Sequence, residues 1–406
     1  MGVAAPEGSG LAEAVLEAGG EPLELALPGA PPDWGVALSR EWAADALEVR
    51  LRTLSPEVLL FDAPSPAGLA AAFAAAVRAG LPAVCAADPS GSTFAAALAG
   101  LGALPLREDP VACAVRLADG GRPRAGDLVE SFALANALRT AAAMRCGPEV
   151  LVHLAALARE AEVQGFGRMA RVIAPEVPGI AGPGSEWLKE HGLPGLLARL
   201  GDDLHDTLTV CGRLGEVVPQ EPPPAPQDPP EDRFVFVEAR ASGAEALCSL
   251  PGEAEEPAGE CSVYLSEKSA ARAVRWERVE PGSLLVVVGC GPRGAPGLRR
   301  LDALEEAMRE AGFRVPVLTD GLAPEGGGGT WISMFTPESA AEGVIGRLRQ
   351  GDFLRIDLER RAIRTSADPE RFARRDYFGV SRARGCGYAA RYARSALPAL
   401  DGAGFG

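Results

Sequence analysis

Short β-branched runs alternate with Ala- and Leu-rich stretches along the first half of the chain, and their spacing separates strands from helices. Residues 57–62 (EVLLFD) are an apolar run of strand length, 65–79 an Ala-rich helical stretch, and 81–86 a second apolar run. That strand–helix–strand order predicts a parallel sheet covered by helices. Residues 42–54 read as a helix with Ser39 as N-cap and Glu41 in its first turn. Residues 93–101 read as a helix, 111–117 fit either a strand or a helix, and 1–35 are weakly patterned. Gly147-Pro148 breaks 130–161 into two helices, and 186–200 is helical.

Residues 218–232 (VPQEPPPAPQDPPED) hold seven prolines and predict a semi-rigid spacer. Past it the period changes. Short apolar runs at 234–239, 261–265, 284–288, 315–318, 330–335 and 353–357 predict a small barrel or sandwich. Leu298, Leu301, Leu304 and Met308 recur at spacings of three and four, which predicts a helix over 298–311. The stretch 377–405 is Arg-rich and helical at 388–397.

Two glycine-rich turns follow two of these strands, at 289–297 and at 326–329 after Thr319-Asp320-Gly321. Exposed backbone N–H groups in such turns can hold an anion. Gly289, Gly291 and Gly294 fit G-x-G-x-x-G, yet Pro296 and Gly297 stand where a dinucleotide fingerprint opens its helix. Nor does an acidic residue close a strand about 20 positions on, because Asp320 comes too late. The ligand-binding candidates are Gly291, Arg293, Gly294, Asp320, Gly327, Gly328 and Thr330, with Arg293 suited to a carboxylate or phosphate.

The chain has 406 residues, enough to bury roughly three quarters of its unfolded surface and to form two domains. Its formal charge of −15 argues against nucleic acid or an anionic membrane as partner. Neither a long apolar run nor a signal-peptide pattern is present, so a cytoplasmic protein is expected. Eight cysteines are scattered without a C-x-x-C or histidine clustering, so no zinc site is expected. Lys189 and Lys268 are the only lysines, which limits Schiff-base or modified-lysine chemistry to two positions.

The blocks GPRGAPGL (291–298), LTDG (318–321), TPESAAEG (336–343) and GDFLRIDL (351–358) resemble, in order, the C-terminal domain of the dihydroxy-acid dehydratase / phosphogluconate dehydratase family. Upstream, LSREWAAD (38–45), the 136–160 helices and LHDTLTVCG (204–212) extend the resemblance. It implies an α/β fold with an N-terminal parallel-sheet domain and a C-terminal small β-barrel-like domain. The expected division is 1–217, a Pro-rich linker 218–232, a barrel domain 233–370, and a helical tail 371–406 packing back on the first domain.

The resemblance also implies dehydration of polyhydroxy acids on an iron–sulfur cluster held by three cysteines. Beside it the family has a Mg²⁺ site with carboxylates and a carbamylated lysine, and a serine alkoxide as base. The family's Cys-Asp-Lys falls on Phe61-Asp62-Ala63, and the stretch of a second cluster cysteine reads DPSGSTFAAALAG (88–100). No cysteine precedes Cys85. A metal-binding glutamate falls on Cys290, the alkoxide serine on Pro324, and Gly-Gly-Ser-Thr-Asn on residues 145–149 (RCGPE). Cluster and Mg²⁺ are therefore expected to be absent, leaving no cofactor and no metal.

The groups left for catalysis are Cys290, Asp62 and Glu325. Cys290 beside Arg293 suits a nucleophile or base, or is a loop cysteine without a role. Asp62 with Glu325 suits an acid–base pair, or both are solvated loop carboxylates. The expectation is an iron-independent enzyme acting on a small carboxylate or phosphate metabolite. The alternative is an inactive partner or scaffold of an active enzyme. A homodimer or a hetero-complex with another enzyme is expected in either case.

Overall fold

The computed structural model describes residues 1–406 apart from 240–241, 253, 255, 367–371 and 378–382. By compactness the chain forms two units. The first comprises Met1–Pro31, Ser39–Cys146 and His153–Pro230; the second comprises Pro32–Leu38, Gly147–Val152 and Glu231–Gly406. The expected boundary at 370/371 lies outside the described residues.

The first unit is built on a parallel sheet of strands β1 (Gly2–Ala4), β2 (Leu23–Glu24), β3 (Leu59–Phe61) and β4 (Ala83–Cys85), in the order β2-β1-β3-β4. β1, β3 and β4 are wholly buried, as befits parallel strands covered by helices. Helix Pro66–Ala79 joins β3 to β4. The Ser65 hydroxyl caps it by accepting from the Gly68 N–H at 3.2 Å, and Gly80 ends it at φ 69°. Its alanines are small enough to bury nine of its residues.

One expectation is corrected here and two open stretches are resolved. Ser39 is no N-cap, because the helix spans Val36–Leu54 and Ser39 lies inside it. Residues 111–117 are helical, within Pro110–Gly120, where the Asp109 carboxylate accepts from Val111 and Ala112. The weakly patterned N-terminus supplies an interior strand, β1, too short to show a period.

Two of the sequence blocks meet in this unit through arginines. Arg40 is buried, donates to Glu41 at 2.7 Å, and donates to Nδ1 of His153 at 3.1 Å. Arg78 joins Asp45 at 2.8 Å, Glu41 at 3.3 Å and Glu160, its Nε donating to the last at 2.8 Å. A two-stranded hairpin, β5 (Leu208–Thr209) and β6 (Gly212–Arg213), lies late in the unit.

The second unit is a closed eight-stranded barrel. Its strands are β7 (Arg233–Ala239), β8 (Ala244–Leu250), β9 (Ala258–Tyr264), β10 (Leu284–Val287), β11 (Val317–Thr319), β12 (Trp331–Thr336), β13 (Phe353–Asp357) and β14 (Ala362–Thr365). Around the barrel they run β10-β11-β12-β8-β7-β14-β13-β9. β9, β10, β11 and β12 are mutually parallel, while β12 meets β8 and β9 meets β13 antiparallel.

Successive residues of β10 serve different cores. Leu284, Val286 and Val288 join Leu318, Ile332, Leu354 and Ile356. Leu285 and Val287 join Val317, Trp331 and two helices, Glu267–Arg275 and Asp302–Ala311. Burial on both faces explains why this strand is a continuous apolar run rather than an alternating one. The second helix begins at Asp302, not 298. Leu298 has φ 66° and follows Gly297 at 95°, so the apolar spacing there reflects a buried loop rather than a helix face. Among the described residues no helix is long and apolar enough to cross a membrane.

Candidate active site

β10, β11 and β12 run parallel, so their C-terminal ends lie side by side. Such strand ends are where ligands of parallel sheets bind. The first end leads into the 289–297 turn, the second into Asp320, and the third into Thr336-Pro337-Glu338-Ser339. Two buried carboxylates fill the turn. Asp320 accepts from the N–H groups of Cys290 at 2.8 Å, Gly289 at 3.1 Å and Ser339 at 3.0 Å, and from the Ser339 hydroxyl at 2.5 Å. Glu338 accepts from the N–H groups of Arg293 at 2.8 Å and Gly294 at 3.0 Å. The N–H array expected to meet an anionic ligand thus meets two carboxylates of the chain itself.

Burial, reinforced by the negative Asp320, pushes the Glu338 carboxyl up to about 7, against the pull of the two N–H donors and Arg293. A group that changes protonation near neutrality inside a turn of fixed geometry can act as a general acid or base. Beside it is a cavity of about 90 Å³, lined among others by Arg293, Asp320, Phe335, Glu338 and Pro398. Arg293 Nε donates to the Ala396 carbonyl at 3.0 Å, which fixes the guanidinium. Its terminal amino groups reach no carboxylate at ion-pair distance among the described residues.

The sequence candidates fall in several places. Arg293, Asp320, Gly291 and Gly294 come together here. Gly291 has to be glycine because a Cβ would sit 2.3 Å from a Glu338 oxygen. Cys290 lies in the same turn, but its side chain is fully buried in the core beside Leu285, Val287 and Ala323. Glu325 is exposed, and Gly327, Gly328 and Thr330 line the other glycine turn. That turn is held by Glu305 and Arg314: the Gly328 N–H donates to Glu305 at 3.3 Å, and Arg314 donates to the Gly328 carbonyl. Asp62 is half-buried at the end of β3 in the first unit, near enough to Cys85 to help raise its thiol, though burial is the larger cause.

Glu338 escaped the sequence reading. The signal available was positional: like Asp320, it is an acidic residue just past the C-terminal end of a parallel strand.

The donor sets decide how well a metal or cluster would be held. Phe61 and Ala63 are buried and carry no donor, and Pro324 carries no hydroxyl. The residues at these positions do not suit an iron–sulfur cluster or a carbamylated lysine. Among the described residues one group of three candidate ligands converges, Glu108, Cys113 and Cys211, with donor atoms within 4.8 Å of one another. Arg116 already sits among them, donating to Glu108, to Cys113 Sγ at 3.5 Å and to the Val210 carbonyl at 2.8 Å.

Known proteins place this architecture. Residues 245–403 match the family model described as dihydroxy-acid/6-phosphogluconate dehydratase C-terminal. The chain is similar to dihydroxy-acid dehydratase 2 of Bordetella bronchiseptica, 31% identical over 71% of this chain and 54% of that protein. It is also similar to the dihydroxy-acid dehydratases of Methanoregula boonei (30% identical, 61% of this chain, 48% of that protein) and Leifsonia xyli (29%, 69% and 54%). The chain spans about half the length of these relatives. The match covers the barrel strands from β8 onward and with them the turn that holds Asp320 and Glu338. Residues 245–403, the barrel from β8 onward, belong to the C-terminal domain of the dihydroxy-acid/6-phosphogluconate dehydratase family.

Proposed function

We propose that this chain is a lyase-like member of the family that acts without an iron–sulfur cluster on a small carboxylate-bearing metabolite, by proton transfer or elimination. The observation that carries the reading is one cavity holding a fixed arginine, a buried aspartate and a glutamate that titrates near 7. Arg293 holds the substrate carboxylate through its terminal amino groups. Glu338 exchanges the proton at the neighbouring carbon or hydroxyl. Asp320 stays anchored by backbone donors and keeps Glu338 protonated to higher pH. The cavity of about 90 Å³ takes roughly three water volumes, enough for the carboxylate end of a substrate. The donor-free Phe61, Ala63 and Pro324 support chemistry without a cluster.

The test is turnover in chelator-treated protein over a panel of small hydroxy and amino acids, free and phosphorylated. Deuterium incorporation from solvent is followed by NMR alongside 2-oxo acid formation. Expected are exchange or turnover on a subset, a fall in kcat of roughly 10²–10⁴ in Glu338→Gln, and a raised KM in Arg293→Ala. Absence of both binding and exchange across the panel would end this reading.

One observation favours a second reading, a catalytically inactive partner of another enzyme: the oxygens of both carboxylates already accept hydrogen bonds from their own turn. Native mass measurement separates the two. A stable hetero-complex together with an inactive isolated chain supports the partner reading.

A further inference from the structure

A second cavity, of about 380 Å³, opens in the barrel unit and shares Phe335 with the first. Its walls are barrel-core side chains, among them Leu318, Phe335, Leu348 and Leu354, together with the partly buried Ile363. At about 30 Å³ per water-sized volume, it has room for about a dozen non-hydrogen atoms. Among the described residues that line it, one is charged, Arg347. The two hydroxyls in the wall are committed elsewhere, Ser242 to the Ala239 carbonyl at 3.0 Å and Thr365 to that of Phe353 at 3.3 Å.

Among the described residues Arg347 is held without an ion-pair partner. Its guanidinium lies 4.4 Å over the Tyr377 ring, and its Nε is buried with no hydrogen-bond partner among the described residues. Its charged neighbours are already matched with one another. Arg375 donates to the Arg347 carbonyl at 3.3 Å and pairs with Asp352, and Arg349 lies close enough to Arg375 to feel its charge. Asp352 and Asp376 are the carboxylates that face Arg349, and no carboxylate pairs with Arg347 among the described residues. A buried guanidinium N–H without an acceptor, at the wall of an apolar cavity, is unfavourable until something supplies the acceptor.

We propose that this cavity binds an amphipathic monocarboxylate of about ten to twelve non-hydrogen atoms, its aliphatic or aromatic body within the barrel wall and its carboxylate on Arg347. Apolar walls with a single converging charge are the make-up of a small-molecule site. The proposal does not rest on the Arg293–Glu338 cavity, and activity there is not its readout.

Calorimetry on the full chain with octanoate and with 1-octanol tests it, because the two probes share a body and differ in the head. Octanoate is expected to bind roughly 10- to 100-fold more tightly than octanol, the difference a charge-assisted hydrogen bond makes. In Arg347→Met that ratio falls to near one, with octanol affinity unchanged within about twofold; Arg347→Lys retains part of the preference. Val344→Trp, which fills the cavity, weakens both probes. No octanoate binding at millimolar concentration, equal binding of the two probes, or an unchanged ratio in a folded Arg347→Met would overturn the proposal. If Arg347→Met fails to fold, the wild-type comparison of the two probes decides.

Discussion

At the scale of single residues, the physics concentrates in Glu338. Its folded pKa of about 7 lies above the ordinary 4.5, so between those values the folded protein holds a proton that the unfolded chain has released. Stability from this group is therefore full below about pH 4.5 and is lost as pH rises through 7, by about 3 kcal/mol in all. Urea midpoints at pH 5 and pH 8 should show wild type losing ground to Glu338→Gln, which has no proton to release; parallel profiles would show that Glu338 does not titrate there. The cysteines divide by environment in the same way. Burial pushes the thiols of Cys85, Cys248 and Cys261 up to about 12, while a hydrogen bond from Cys113 lowers that of Cys211. With N-ethylmaleimide at pH 7, intact mass and peptide mapping should find Cys386, which is exposed, and Cys211 labelled first. Cys290, fully buried, should label only on unfolding; rapid labelling there would restore it as a candidate nucleophile.

At the scale of elements, the turn after β10 depends on glycine where side chains close in. Gly291→Ala puts a Cβ 2.7 Å from two Glu338 carbons and 2.3 Å from its oxygen, so Glu338 has to leave its N–H donors. A loss of about 1–3 kcal/mol is expected, together with the loss of the pH signature described for Glu338; an unchanged denaturant midpoint would contradict the packing described. The same turn shows what a sequence discloses. β10 was legible because burial on two faces leaves an apolar run that no loop imitates, and Arg293 and Asp320 because they flank glycines after strands. The start of the following helix was not: Leu298 and Leu301 keep helical spacing while Leu298 sits at φ 66°. Glu338 was hidden for a further reason. Its pKa follows from burial and from Asp320, which is 18 positions away in the chain but next to it in the barrel.

At the scale of the whole molecule, neither unit is one continuous stretch of chain. The barrel unit takes in Pro32–Leu38 and Gly147–Val152. Gly35 and Ala37 donate to the Pro296 and Gly297 carbonyls at 2.9 and 2.8 Å, and Arg300 pairs with Glu149 at 2.6 Å. A fragment of residues 231–406 lacks all three, and its melting should fall roughly 5–15 °C below that of the unit in the full chain. Calorimetric scans of fragment and full chain check this, and equal midpoints would mean that those segments contribute nothing. The proline tract was visible in the sequence, whereas nothing local in these two segments, not even the Gly147-Pro148 break, says that they belong with the barrel. The strand order has one more consequence. β14 is the last of the eight strands to be made, yet it closes the ring between β7 and β13. Until the ribosome has released residue 365, both neighbours keep a bare ladder of N–H and C=O groups. A message cut short before that point should yield a sticky, insoluble product, while the finished ring offers a passing chain no edge to pair with.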